Sequence, residues 1–504
     1  MYEEGQAERE RSAGPTIGGI EWDVLKLSGV VILGALMSIL DTTIVNIALR
    51  DISQELGSPL DSVQWIVTGY LLALATVIPL SGWISQRFDA KRVWMASIAL
   101  FLAGSALCGL AASTGELIAF RVLQGFGGGL IMPVGITLLT QAAGPKRVGR
   151  VMSIVGVPML LGPVLGPVLG GLILQDLSWR WIFYVNLPIG ALALLLAWRV
   201  LKPGTTGESG RLDWLGFLLG SPGVALVVFG LSESTSEGGF GAPIVWGSIA
   251  GGLVLLALFV WHALRAENPM IELHLFRRVG FAASSATVFF VGAALFGGLL
   301  VLPLYFQIAR GESPLDAGLL LAAQGVSAAL LMPLSGKLTD RVGGGRVAVV
   351  GLLAVAAGSV PYAMVTVGTS LWLLEAALVV RGFGLAFTMM PSMAAAYAAL
   401  EHSAVPRATS ALNVLQRVGG SLGTAVLAVV LHGQLTALGP AGAGAEGASS
   451  ARELPPGVAA KLAEPIAQAF GATFWWALAL AVVALVPAVV LAWKGDVERE
   501  GEGD

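Results

Sequence analysis

An aspartate interrupts a long apolar run at Leu40-Asp41-Thr42-Thr43-Ile44. It lies nine residues before Arg50, which places it about 13 Å from that charged end of a helix. A carboxylate at such depth in a spanning helix is costly and ordinarily faces a polar cavity or a proton path. Burial disfavours its charge and a nearby cation restores it, so its protonation can follow conformation and bound substrate. The plainer role is structural, with Asp41 bonded to the hydroxyl of Thr42 or Thr43. Arg121 stands near the same end of its own apolar stretch, and its side chain is long enough to reach the depth of Asp41. It either steadies that carboxylate and assists proton transfer, or snorkels to carbonyls at the membrane surface. Arg381 and Arg417 are further cations inside apolar stretches, and Glu375 could partner Arg381.

Motifs for other chemistry fail on context. Gly419-Gly-Ser421-Leu-Gly423 fits the hydrolase elbow pattern but falls inside an apolar helix rather than on a strand-turn-helix. Gly442-Ala-Gly444-Ala-Glu-Gly447 fits a dinucleotide fingerprint but sits in an Ala/Gly-rich connection with no strand before it. No phosphate-loop pattern appears, the four histidines are scattered, and no metal-ligand spacing exists. The expectation is no catalytic residue, no cofactor and no metal. Cys108 is the single cysteine, so no disulfide can form within the chain.

The elements that hold these residues follow from composition. Of 504 residues, 56% are hydrophobic and 12% charged, with 67 glycines, 24 prolines and a net charge of -3. Mean hydropathy is +0.80. No soluble fold has a core large enough for this much apolar surface, and no basic excess points to nucleic acid. Fourteen stretches, from 24–50 to 467–493, are long and apolar enough to span a bilayer. With the N-terminus placed in the cytoplasm, 21 of the 29 Lys and Arg fall on the cytoplasmic side, 5 outside and 3 within spans. That asymmetry puts both termini in the cytoplasm of a cell-membrane protein.

The chain repeats itself. Gly82-Trp-Ile-Ser-Gln86-Arg87-Phe-Asp89-Ala-Lys-Arg92 resembles Gly336-Lys-Leu-Thr-Asp340-Arg341-Val-Gly343-Gly-Gly-Arg346 at an offset of 254. Gly125-Phe-Gly127 echoes Gly382-Phe-Gly384 at an offset of 257. Both echoes lie in parallel topology, which indicates two halves related about the membrane normal. The first six spans cover only 24–201, so the surplus offset corresponds to an inserted helix pair. The expected plan is a tail over 1–23, a six-helix bundle over 24–201, a linker with two helices over 202–275, and a second six-helix bundle over 276–494. The second bundle carries an outer loop at 433–466, and a tail follows at 495–504.

This all-α 6+2+6 plan and its motifs resemble the major facilitator superfamily, and within it the fourteen-helix drug:proton antiporters. The resemblance covers nearly the whole chain. Leu40-Asp41 through Asn46-Ile-Ala-Leu49 is similar to that branch's first-helix signature, and Arg121-Val-Leu-Gln124-Gly125 to its fourth-helix motif. Gly156 through Gly171, with Gly162-Pro163 and Gly166-Pro167, is similar to the fifth-helix antiporter motif. Trp179 through Gly190, with Phe183, Asn186 and Pro188, is similar to the start of helix six. The resemblance implies proton coupling at Asp41 and Arg121, and a loop Asp and Arg that stabilise the outward-open state. Here the first loop departs from the family, with Gln86 where Asp is expected and Asp89 where Gly is expected. Its gating residues are Gly82, Gln86 and Arg87, against Asp340 and Arg341 in the second half.

Gly162, Gly166 and Gly170 recur on one helix face, where small residues allow close approach, and Pro163 and Pro167 remove backbone hydrogen bonds. The expectation is a tight, kinked contact that opens and closes between halves. Asn46, Trp65, Tyr70, Phe289, Tyr305, Gln307 and Gln324 are aromatic or polar positions suited to a cavity for a bulky amphipathic ligand. The function that follows is proton-driven export of amphipathic drugs by a monomer, with protons, a small substrate and the bilayer as partners and no nucleic acid. An exporter of a lipid, siderophore or other metabolite on the same scaffold, and a non-transporting receptor or sensor, are the alternatives. Reporter fusions test the topology: those within 203–210 are expected inside and those within 434–465 outside. A cytoplasmic signal from 434–465 would refute the fourteen-span count.

Overall fold

The computed structural model describes residues 16–17, 20–143, 147–202, 212–234, 241–398, 400, 404–438 and 456–500. The tail 1–15 and most of the expected outer loop, 439–455, lie outside the described residues. Apart from a short antiparallel pairing of Thr16–Ile17 with Ile20–Glu21, the described residues form helices and their connections.

The first six spans are α1 (Trp22–Leu56), α2 (Leu60–Val77, continued through Ile78–Leu80 and Ser81–Phe88), α3 (Ala90–Leu110), α4 (Thr114–Ala143), α5 (Val148–Asp176) and α6 (Trp181–Tyr184 with Asn186–Val200). The inserted pair is α7 (Trp214–Glu233) and α8 (Pro243–Ala263). The last six are α9 (Val279–Leu304, ending in a wider turn at Tyr305–Ala309), α10 (Pro314–Val342), α11 (Gly344–Ala363), α12 (Leu371–Ala386 with Met389–Ala398), α13 (Val405–Thr436) and α14 (Pro456–Glu500). Thirteen of these are long and apolar enough to cross a membrane. The remaining one, α5, is 29 residues long. The last helix starts earlier and ends later than the expected 467–493, because the polar residues flanking its apolar centre continue the same backbone.

The two repeat loops cap equivalent helices. Gly343 adopts φ 91° before α11, and Asp89 adopts φ 68° before α3. Aspartate replaces glycine at this left-handed position because its short carboxylate bonds locally, here accepting the Lys91 N–H at 3.3 Å. Each loop also docks on the opposite half. A Cβ on Gly82 would come within 3.0 Å of the Arg407 Cα and the Pro406 carbonyl, and one on Gly336 within 2.8 Å of the Arg150 Cα. The approach at Gly336 requires glycine, and the one at Gly82 is tight. The Asp340 carboxylate accepts the Gly149 N–H at 2.9 Å and pairs with Arg150 Nε at 2.9 Å. It therefore sits at the N-terminus of α5, where a helix dipole favours an anion.

The apolar core records which end of the molecule is shut. At the end carrying these two loops, the basic face, one continuous cluster joins Val148, Met152 and Val155 of the first half to Ala328, Met332 and Met390 of the second. At the opposite face the halves have separate cores. One is built on Leu40, Ile44, Val63 and Phe183, the other on Val301, Tyr305, Tyr362 and Phe474. The inserted α7 bridges the halves on one flank, with Val224 and Val228 against Ala75 of α2 and Val414 and Val418 of α13.

The α5 glycines act differently from expectation. Cβ atoms at Gly162, Gly166 and Gly170 would meet Ile39, Thr43 and Ile44 of α1, so this face packs within its own half. The inter-half approach lies a turn and more earlier, where Gly156 meets Met332 and Met390. The periodicity shows a close-packing face without showing which helix fills it. The backbone is helical through Pro163 and Pro167, whose side chains lie outside the described residues. Asp340→Asn is expected to loosen the basic face by about 1.5–3 kcal/mol, the worth of a hydrogen bond to a charged group. Gln86→Asp should stabilise it by less, because Pro406, the repeat equivalent of Gly149, has no N–H to donate. Spin-label distances across the basic face measure both: lengthening for Asp340→Asn and a smaller shortening for Gln86→Asp.

Candidate functional site

Asp41 is fully buried, with 0% exposure, at mid-depth of α1. Its two oxygens divide their partners. Oδ2 accepts from Arg121 Nη1 at 2.6 Å, while Oδ1 accepts from Gln124 Nε2 and Asn186 Nδ2, each at 2.9 Å. Arg121, also at 0% exposure, donates further to Gln124 Oε1 at 2.7 Å and, through Nε, to the Ile66 carbonyl at 3.3 Å. Its guanidinium carbon stands 4.0 Å from the Tyr70 ring centroid and 5.7 Å from that of Phe183. Asn186 also donates to Ser105 Oγ at 3.0 Å, whose hydroxyl donates to the Phe183 carbonyl at 2.9 Å. Five helices of the first half thus converge on one carboxylate.

Local sequence explains the convergence. Gly125 packs against the Tyr70 carbonyl, where a Cβ would stand at 2.6 Å, so α4 approaches α2 closely enough for Arg121 to lie over the Tyr70 ring. Gly104 makes the same kind of approach to Gln124, at 2.7 Å for a Cβ. Thr42 and Thr43 do not hold Asp41. Their hydroxyls donate to the carbonyls of Ser38, Ile39 and Leu40, one turn earlier on their own helix. A buried carboxylate with one guanidinium and two amide donors is a satisfied anion.

Other expected site residues have different roles. Tyr70 is buried beneath Arg121, not free to line a cavity. Tyr305 lies within an aromatic cluster with Phe306, Tyr362, Phe470 and Phe474, because the wider turn at 305–309 swings it into the second-half core. Gln324 is committed to Arg381, accepting its Nε at 3.3 Å. Glu375 forms no pair with Arg381. It shares a hollow of about 290 Å³ with Glu312 and Asp316 at the ends of α10 and α12. Asn46 is exposed, its Nδ2 donating to the Thr42 carbonyl at 3.4 Å, and Trp65 is 45% exposed and stacks on Phe229 of α7 at 5.8 Å. Phe289 and Gln307 are half-buried. Ser105 carried no sequence signal; Gln124 and Asn186 lay inside recognised motifs, with no sign that both reach Asp41.

The coupling of this cluster is measurable. Asp41→Ala and Arg121→Leu should each lower stability by about 3–5 kcal/mol, the penalty for leaving one member of a buried pair alone. The double variant should lose less than the sum, because the two losses share a cause. Denaturation of the purified protein in detergent provides the cycle, and strict additivity would contradict the pairing.

Comparison with known proteins agrees with this architecture. The chain is 40% identical over 485 residues to the multidrug resistance protein B homolog of Mycobacterium tuberculosis, covering 93% of this chain and 90% of that protein. It is 29% identical over 400 residues to the lincomycin resistance protein LmrB of Listeria monocytogenes, covering 79% and 85%. In fold it is similar to the proton:xylose symporter XylE, with a TM-score of 0.59 at 14% identity over 90% of this chain and 94% of that one. The family model of the Major Facilitator Superfamily matches residues 31–424, and the chain belongs to that superfamily of membrane transporters.

Proposed function

We propose that the protein exports amphipathic drugs by alternating access, driven by protons that titrate Asp41. The observation that carries this reading is the buried Asp41–Arg121 pair, completed by Gln124 and Asn186. Protonation of Asp41 removes the charge that holds Arg121, so proton arrival changes the packing of α1 against α4. The relatives' names, multidrug and lincomycin resistance proteins, support drugs as the substrate class. The proposed boundaries are a first bundle at 24–201, the inserted pair within 202–275 and a second bundle at 276–494. The proton site is complete within one chain, which supports a working monomer.

The basic face is read as cytoplasmic, with both termini there and the protein in the cell membrane, from the distribution of Lys and Arg. The shared core at that face and the divided cores opposite then correspond to an outward-open state. Substrate enters between the separated halves, and closure of the outer face would break the junctions at Asp340 and at Gly156.

Each proton entering down 100 mV releases about 2.3 kcal/mol, and each pH unit adds about 1.4 kcal/mol. One proton per cycle therefore sustains a substrate gradient of order a hundredfold. Asp41→Asn keeps the shape and removes the titration. Reconstituted into proteoliposomes, it is expected to insert and to lose uphill transport after an imposed pH step. Retained accumulation against a gradient would sink the assignment.

A further inference from the structure

The internal repeat superposes the proton site on a second buried charge of opposite balance. At an offset of 254, Tyr70 and Ser105 correspond to Gln324 and Ser359; at 257, Gln124 corresponds to Arg381. The structure bears out this register. Gly125 packs on the Tyr70 carbonyl and Gly382 on the Gln324 carbonyl, while Gly104 faces Gln124 and Gly358 faces Arg381. In the 257 register Arg121 corresponds to Leu378, and α9 presents Gly298 to Arg381. The second half thus lacks a cation at the Arg121 position and carries Arg381 where the first half has Gln124.

Arg381 is 3% exposed and held only by neutral groups. Nε donates to Gln324 and Nη1 to Ser359. Nη2 donates to no described residue and lies 3.0 Å from where a Cβ on Gly298 would stand. Among the described residues no carboxylate pairs with Arg381, and none pairs with Arg417 of α13. A buried guanidinium without an anion is expensive. Among the described residues, the one carboxylate buried in the interior of the spans is Asp41, and it is already engaged. The acidic hollow of Glu312, Asp316 and Glu375 lies at the ends of α10 and α12 and makes no pair with either cation.

We propose that Arg381 receives an anionic group of the transported molecule (a carboxylate or a sulfonate) in the space that Gly298 leaves open. This rests on reading the protein as an exporter and narrows its substrates to amphipathic acids. The substrate thereby supplies the anion that Arg381 lacks among the described residues. A charge-assisted bond in a water-poor site gives such a group a large advantage over a neutral one.

Two probes with the same aromatic body isolate the charge: dansylglycine, a carboxylate, and dansylglycinamide, its neutral amide. Equilibrium binding to the purified full chain in nanodiscs is followed by dansyl fluorescence. The wild type is expected to favour the acid by about tenfold or more, one charge-assisted bond's worth. Arg381→Gln should abolish the preference. Gly298→Asp should abolish it too, by supplying an internal anion, and should raise the unfolding temperature above that of the size-matched Gly298→Asn, which retains a preference for the acid. Equal affinity of the wild type for both probes, affinity for neither, or an undiminished preference in Gly298→Asp would overturn the proposal. Binding at equilibrium needs no proton gradient, so failure of pH-driven flux alone leaves this result standing.

Discussion

A charge inside a bilayer must be answered by another group of the protein, because no water is there to answer it. The first half of this transporter is arranged around that demand. Asp41 gathers Arg121, Gln124 and Asn186 from α4 and α6, Arg121 reaches the Ile66 carbonyl of α2, and Ser105 of α3 closes the circle through Asn186. The glycines at 104 and 125 permit helix separations short enough for these bonds. Packing and charge satisfaction are therefore one constraint, and the state of a single carboxylate bears on the whole bundle.

The second constraint is that the halves must part without falling open. Among the described residues they share an apolar core at the basic face and, apart from the flank covered by α7, have separate cores at the other, so the closed end carries most of the burial that binds them. Asp340 at the start of α5 adds directed polar bonds to that end, whereas the equivalent loop packs Gly82 on the start of α13, where Pro406 has no N–H to donate. The two loops are thus unequal despite their common ancestry in the repeat. On one flank α7 lies against both α2 and α13, so the inserted pair ties together helices of different halves. Any parting of the halves has to accommodate this bridge as well as the close packing of α5 on α10.

Much was legible in the residues. A spanning helix declares itself by length and apolarity, and the bias of Lys and Arg orders the connections, because both signals depend only on the contrast between lipid and water. The repeat showed in the loops at 82–92 and 336–346, where glycine and charge are demanded by local backbone shape. Asp41 and Arg121 were conspicuous for the same reason, as charges in apolar surroundings.

What the tertiary structure alone decided was partnership. Side chains distant in sequence meet only when helices pack, so Asn186 and Ser105 entered the Asp41 site without announcing themselves, and Gln324 turned from a cavity wall to a support for Arg381. Tyr305 looked like a ligand contact and proved to be core, because a widened turn re-aims it. The glycine face of α5 was evident from its spacing, yet its partner, α1 of the same half, was not: periodicity reveals that a surface is small and flat, while the choice of what covers it belongs to the arrangement of all the helices at once.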